Sequence, residues 1–305
     1  MNRTIPRHPM RRFAAVAIGL TLLAACANSQ AGDDHRSAGS TSIDKALHGR
    51  LPQRIQSSGV IRVGTDASYA PASFFARNGR DIVGFEPDLA AAMGRVLGVR
   101  FEFVNVEFTH LLPQLGTGKI DLAISAMTDT VDREKQADFV DYFSAGTSIL
   151  VQRGNPAAIA GIQDLCGHVV AVEEGTVQVD LVRRSQQHCA GEPIQIRQYA
   201  TNSDALLQLR TGRAVAVLND FPPAAYLAND PKTKTNYQLA SDTQYEPGPY
   251  GIAVSRNDSA LRDVIRDALA EVMRSGAYAK ALGTWGVSGG ALQRTAINAS
   301  GATSG

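Results

Sequence analysis

The feature that most constrains this chain is a figure written twice. "LLPQLGTGKIDLAIS", residues 111–125, and "LLQLRTGRAVAVLN", residues 206–219, each run through paired leucines, a Thr-Gly-basic turn and an apolar stretch. A glycine that stops a helix just before an apolar run sends the chain back into a sheet. The surrounding pattern agrees. "VIRVG" reads as a short buried strand. "FEPDLAAAMGRVLG" reads as a helix with acids in its first turn, an apolar face of Leu89, Met93, Val96 and Leu97, and a stop at Gly98. "VRFEFV" alternates as a strand, and "VVAVEEGT" is a strand followed by a tight glycine turn. Alternation of this kind predicts an α/β fold with a largely parallel sheet and helices on both faces. Its recurrence in each half of a 305-residue chain predicts two lobes.

In open α/β sheets, ligands bind beyond the carboxyl ends of the strands. Those ends are polar here. One strand runs out into Ser125, Thr128 and Arg133, another into Glu173, Glu174, Gly175 and Thr176, a third into Asn219 and Asp220, and "VIRVG" into Thr65, Asp66 and Tyr69. A cleft between two lobes would gather them. Each residue also has a plainer reading. Arg133 could pair with Asp129 or Glu134 at the surface. Asp220 could cap a helix starting near Pro222. Tyr69 and Phe108 could be core, and Glu173 a solvated loop acid.

Apolar residues at 44% and charged residues at 19% are an ordinary globular balance. A net charge of +1 argues against a nucleic-acid partner, since no basic excess is present to neutralise phosphates. The six histidines are scattered and none stands at helical ligand spacing with another, so the sequence points to no metal and no cofactor. Arg3, Arg7, Arg11 and Arg12 precede an apolar run, Phe13 to Ala25, that is too short to span a bilayer and suits the core of a signal peptide over residues 1–25. It ends in "LAAC", which resembles the bacterial lipobox. That resemblance implies lipidation of Cys26, with an uncleaved anchor or a plain secretory signal as alternatives. Residues 26–50 are then a flexible tether, and the polar tail 289–305 is expected to be disordered. In an exported protein Cys166 and Cys189 most simply form a disulfide, with two free buried thiols as the other reading.

"IRVGTDASYAP", "VGFEPDLA", "LLPQLGTGKIDLAISAMTDTVDREKQADF", "AVEEGT" and "YGIAVSR" stand in this order over about residues 55–287. In this the chain resembles the family 3 extracellular solute-binding proteins, which serve polar amino-acid ABC importers. The resemblance implies the type II periplasmic binding protein fold: two Rossmann-like lobes joined by two hinge strands. Lobe 1 would comprise 51–148 and 247–288, and lobe 2 would comprise 149–246. The resemblance makes Arg133 the clamp for a ligand α-carboxylate, a task suited to its planar fork of donors. Asp220 becomes the acceptor for the α-ammonium. Ser125 and Thr128 supply donors, the glycine turn before Thr176 supplies amides from the other lobe, and Tyr69 and Phe108 enclose the side chain. Ala126 stands where many relatives have a second serine, which removes a hydroxyl and leaves the backbone amide.

Asp66 and Glu173 have no evident basic neighbour in sequence, which favours arginine, lysine, ornithine or histidine over glutamine or another neutral polar amino acid. The resemblance implies a monomeric lipoprotein that is held outside the cell membrane by its lipid, captures a free amino acid and delivers it to a permease and ATPase complex. Two other classes stay open. One is an exported enzyme like the cyclohexadienyl dehydratases, for which Glu173 would be the acid that assists loss of a hydroxyl. The other is a sensor lipoprotein that binds amino acids without transport.

Overall fold

The computed structural model of the chain describes residues 43–300. The expected signal segment, Cys26 and most of the tether lie outside them. The described part starts earlier in the fold than expected. Asp44 caps helix α1 (Lys45–Arg50) by accepting from the amides of Ala46 and Leu47. The amide of Asp44 donates to the carbonyl of Val96, and Leu47 is buried. The tether expected over 26–50 is therefore corrected at its end: an N-cap and one buried leucine fasten 44–50 to lobe 1.

After α2 (Gln53–Ser58) the chain enters β1 (Val60–Thr65) and then the small antiparallel sheet of β2 (Ser68–Tyr69), β3 (Ser73–Phe75) and β4 (Ile82–Val83). Helix α3 (Phe85–Leu97) follows and ends at Gly98 with φ 66°, a left-handed C-cap. Next come β5 (Arg100–Asn105), α4 (Leu111–Gly116), β6 (Leu122–Ala123) and the single turn α5 (Val131–Glu134). Strand β7 (Ala137–Gln152) is 16 residues long. The second half runs β8 (Val169–Glu173), α6 (Val177–Ser185), β9 (Gln195–Tyr199), α7 (Asn202–Arg210), β10 (Ala216–Asp220), α8 (Phe221–Asn229) and β11 (Tyr237–Leu239). Strand β12 (Tyr245–Ser255) then leads back to α9 (Ser259–Arg274) and α10 (Ala277–Thr284).

The main sheet has the order β5-β1-β6-β12-β7-β10-β8-β9, with β11 paired to β7. Its two ends repeat one figure. In lobe 1 the first strand, β1, lies between β5 and β6, parallel to both. In lobe 2 the first strand, β8, lies between β9 and β10, again parallel to both. The repeated sequence figure falls at the same place in each: α4 turns at Gly118 (φ 70°) into β6, and α7 turns at Gly212 (φ 72°) into β10. The long strands β7 and β12 run antiparallel and join the lobes. Thr147 is where β7 changes partner, pairing with Tyr245 of β12 and Asp220 of β10.

Alternation along the strands sorts the core into layers. In lobe 1, Ile61, Val63, Leu122 and Val140 face α3 and α9, while Ala123 and Phe139 face α4. In lobe 2, Ile149, Val151, Val170, Val172 and Leu218 face α6, while Leu150, Ala171 and Val217 face α7 and α8. Period-two side chains on a sheet covered on both faces require this double layering.

The disordered tail expected from residue 289 is corrected over 289–300. The amide of Asp141 donates to the Ala296 carbonyl, Asn298 exchanges bonds with Phe139, and Ser300 donates to Glu134. Backbone pairing with β7 orders this segment despite its small polar side chains. Asp129 and Asp141 are buried nearby, and burial pushes their carboxyls up to about 8 and about 7.

Cys166 and Cys189 form a disulfide across a sequence separation of 23 residues. Closing a loop of that size removes chain entropy from the unfolded state equivalent to roughly 3 kcal/mol. Reduction is therefore expected to lower the thermal midpoint of the oxidised protein. Identical melting curves with and without reductant would show that the bond contributes nothing.

Candidate functional site

One pocket lies where the carboxyl ends of β1, β6, β8 and β10 converge. Its cavity volume is about 20 Å³, room for about one water molecule, so an amino acid enters only if the lobes part. Asp66, Tyr69, Phe108, Ser125, Ala126, Thr128 and Arg133 line it from lobe 1, and Glu173, Thr176, Val177, Gln178 and Asp220 from lobe 2. All ten residues read as ligand contacts in the sequence reach this one pocket, whereas Thr65, Glu174, Gly175 and Asn219, also named at the strand ends, do not line it. Val177 and Gln178 were not singled out. Their signal was positional: they open the helix that follows the glycine turn.

Arg133 sits on the short turn α5, which Thr130 caps by accepting from the Arg133 amide. Its guanidinium donates to the Thr128 carbonyl at 2.7 Å and to the Gly175 carbonyl of the facing lobe at 3.0 Å. The Phe108 ring lies 5.3 Å below it. Two carbonyls and a ring fix the plane of the fork and leave further N–H donors. Among the described residues Arg133 forms no salt bridge, so the surface-pairing alternative with Asp129 or Glu134 does not hold. Burial draws its pKa down to about 10, against the pull of Asp220, Asp180 and Asp129, so it stays charged at neutrality.

Asp220 ends β10 and occupies the N-cap position of α8, yet its side chain makes no capping bond. One carboxylate oxygen accepts from Gln178 at 2.8 Å and the other from the Tyr69 hydroxyl at 3.1 Å. The Asp220 amide in turn donates to the Tyr69 oxygen at 2.8 Å. A carboxylate at an N-cap ordinarily turns back to the helix amides; this one is held out into the pocket from two sides. Burial raises it to about 6, with Tyr69, Arg133 and Gln178 holding it down. Tyr69 is therefore a polar bridge between lobes rather than plain core. Burial, with Asp220 beside it, lifts its phenol well above the usual range.

At the other side of the pocket Asp66 turns on itself, accepting from the Ser68 amide at 2.9 Å. The Asp66 amide donates to Ser125 Oγ at 2.9 Å, so the Ser125 hydroxyl keeps its proton for another acceptor. Glu173 is 7% exposed, and its Oε1 has no hydrogen-bond partner among the described residues. Burial first, and then the Asp66 carboxyl on the same pocket, lift the Glu173 carboxyl well above the usual range. This overturns the solvated-loop alternative for Glu173.

Gly175, with φ 76°, makes the tight approach between lobes possible: an added Cβ would stand 2.9 Å from the Thr109 methyl. It sets Thr176 at the N-cap of α6, so the positive end of that helix borders the pocket. The Thr176 hydroxyl is turned back to the Glu173 carbonyl at 2.7 Å. Ala126 holds a left-handed backbone, φ 45°. Its amide donates to Glu86 Oε1 at 2.6 Å, so the amide expected to face a ligand is already engaged, and Ala126 contributes wall to the pocket.

Glu86, in the first turn of α3, was not anticipated as part of this site. It is completely buried and accepts from Ser73 at 2.6 Å, from Ala126, and from the Tyr142 hydroxyl. Burial raises its pKa against those three donors. It ties the loop after β6 to β3, α3 and the hinge strand β7.

Two lobes, two crossing strands and a polar pocket at their common strand ends define a periplasmic-binding-protein architecture of the second type. A profile of the bacterial extracellular solute-binding proteins, family 3, matches residues 61–288. The chain belongs to that family. It is 29% identical over 303 residues to the arginine-binding protein ArgT of Corynebacterium glutamicum, covering 96% of this chain and 97% of that one. Among solved structures it is similar to an ancestral arginine-binding protein bound to glutamine, at 35% identity and a TM-score of 0.68, over 75% of this chain and 98% of the other. It is also similar to the ancestral amino acid-binding protein AncCDT-1, a precursor of cyclohexadienyl dehydratase. There the identity is 34% and the TM-score 0.68, over 76% of this chain and 97% of the other.

Proposed function

We propose that the chain is the extracytoplasmic capture subunit of an amino-acid ABC importer and holds a cationic amino acid between its lobes. The observation that carries this is the placement of Arg133 and Asp220 on one pocket from opposite lobes. A guanidinium with spare donors suits an α-carboxylate, and a carboxylate held out by Tyr69 and Gln178 suits an α-ammonium. A ligand that bridges the two stabilises the closed arrangement, because only there are both contacts made. Ser125, Thr128 and the turn at Thr176 add donors around the carboxylate, and Tyr69 and Phe108 flank the aliphatic stem.

The far end of the pocket is acidic. Asp66 and Glu173 both line it, and Arg133, the one cation lining the pocket among the described residues, is turned toward Thr128 and Gly175. That end favours arginine, lysine, ornithine or histidine, as does the likeness to arginine-binding relatives. The protein works as a monomer, tethered through a lipid on Cys26, and passes its ligand to a permease and ATPase complex.

A calorimetric panel of amino acids tests the reading. Arginine or another cationic amino acid is expected to bind with micromolar affinity or better, about 8 kcal/mol. Tight binding of glutamate with none for arginine would reject the cationic assignment. One observation favours a second reading: the raised pKa of Glu173 suits a general acid, and AncCDT-1 is described as the precursor of a dehydratase. Incubation with prephenate or arogenate separates the two, since an aromatic product would make the chain an enzyme.

A further inference from the structure

We propose that Glu173 is protonated in the unliganded protein and releases its proton to solvent when a cationic side chain enters, so that this carboxyl chooses the charge of the ligand according to pH. This rests on the amino-acid reading above and goes further by assigning the selection to one carboxyl group.

The geometry carries it. Glu173 comes from the end of β8 and Asp66 from the turn after β1, so the two meet from opposite lobes on one pocket. Both are buried, at 7% and 5% exposure. A buried carboxyl such as Glu173, with other acids on the same pocket, resists ionisation until a cation comes beside it. Asp220 stands at the end of β10 and acts on Glu173 with the same sign. The Tyr69 phenol, from β2, faces the same space as a neutral group. Arg133 is held toward the carbonyls of Thr128 and Gly175. Glu173 Oε1, without a hydrogen-bond partner among the described residues, remains to meet an incoming group.

A guanidinium or ammonium placed there supplies the missing charge. The protein with Glu173 protonated and the cationic ligand then give the complex, with Glu173 ionised, plus one proton taken up by buffer. A neutral amide side chain needs no such change, because a protonated carboxyl can donate to its oxygen. Raising the pH through the range in which Glu173 is protonated therefore strengthens binding of a cationic ligand, by up to about tenfold per pH unit for one proton released. A neutral ligand gains nothing from Glu173. Asp220 meets the α-ammonium of either ligand, so comparing two amino acids cancels its contribution.

The test is titration calorimetry of the full chain with L-arginine and L-glutamine at neutral pH, in two buffers of different ionisation heat. The expected result is an arginine enthalpy that changes with buffer by the heat of up to one proton more than glutamine shows. Glu173→Gln is expected to abolish that difference and to weaken arginine by about tenfold or more. Arginine binding with the same buffer dependence as glutamine would overturn the proposal while leaving the amino-acid site intact. Failure of both amino acids to bind would overturn the site reading itself, and the proposal with it. The wild-type comparison decides the matter even where the variant does not fold.

Discussion

Replacing Arg133 with alanine is expected to weaken amino-acid binding by about a hundredfold, the usual consequence of removing one partner of a buried charge-assisted pair. The loss has two sources. The ligand carboxylate would lose its two-pronged donor and remain in a pocket walled by Phe108 and Ala126. The closed arrangement would also lose the bond from Arg133 to the Gly175 carbonyl, which ties lobe 1 to lobe 2. The unliganded protein should unfold at nearly the wild-type temperature, because releasing a guanidinium that burial disfavours offsets the two lost carbonyl bonds. The rise in melting temperature on adding ligand should disappear. Unchanged affinity in Arg133→Ala would reject the clamp.

Glu86→Ala is expected to act in the opposite way, through stability rather than contact with ligand. The side chain accepts from Ser73, Ala126 and Tyr142, all in buried surroundings. Its removal leaves three donors without an acceptor and a cavity under α3. The expected cost is about 3 to 5 kcal/mol, or about 10 °C in the thermal midpoint. Glu86→Gln keeps an acceptor oxygen and the volume, so it should lose much less. Affinity should fall in Glu86→Ala because Ala126 and the loop carrying Thr128 and Arg133 are no longer anchored to β7. Denaturant unfolding of the three proteins checks the order; equal midpoints for wild type and Glu86→Ala would show that the network does not hold the loop.

The contrast between Arg133 and Glu86 shows what a sequence displays and what it conceals. Arg133 could be picked out because it follows a strand whose end carries Ser125 and Thr128, and strand ends in α/β sheets face one place. The same holds for Thr176 after Gly175 and for Asp220 after Asn219. The repeated helix-turn-strand figure was equally plain, because its Gly118 and Gly212 turns are local chemistry. Glu86 was concealed because an acid in the first turn of a helix is ordinary near the positive end of the dipole. Its real partners come from residues 73, 126 and 142, and no local pattern joins them.

Three corrections share that cause. The segment 289–300 looks disordered by composition, but its order comes from backbone bonds to Phe139 and Asp141, to which composition is blind. Residues 44–50 read as tether because one buried leucine is a faint signal, and their fastening depends on the distant Val96 carbonyl. The amide of Ala126 was expected to face a ligand, and only the fold discloses its bond to Glu86.

A crystal structure of the protein grown with L-arginine tests the account most directly. The ligand should lie in this pocket with its α-carboxylate on the Arg133 fork, its α-ammonium on Asp220 and its guanidinium against Asp66 and Glu173. An arginine bound elsewhere, or seated here with its carboxylate turned away from Arg133, would contradict it.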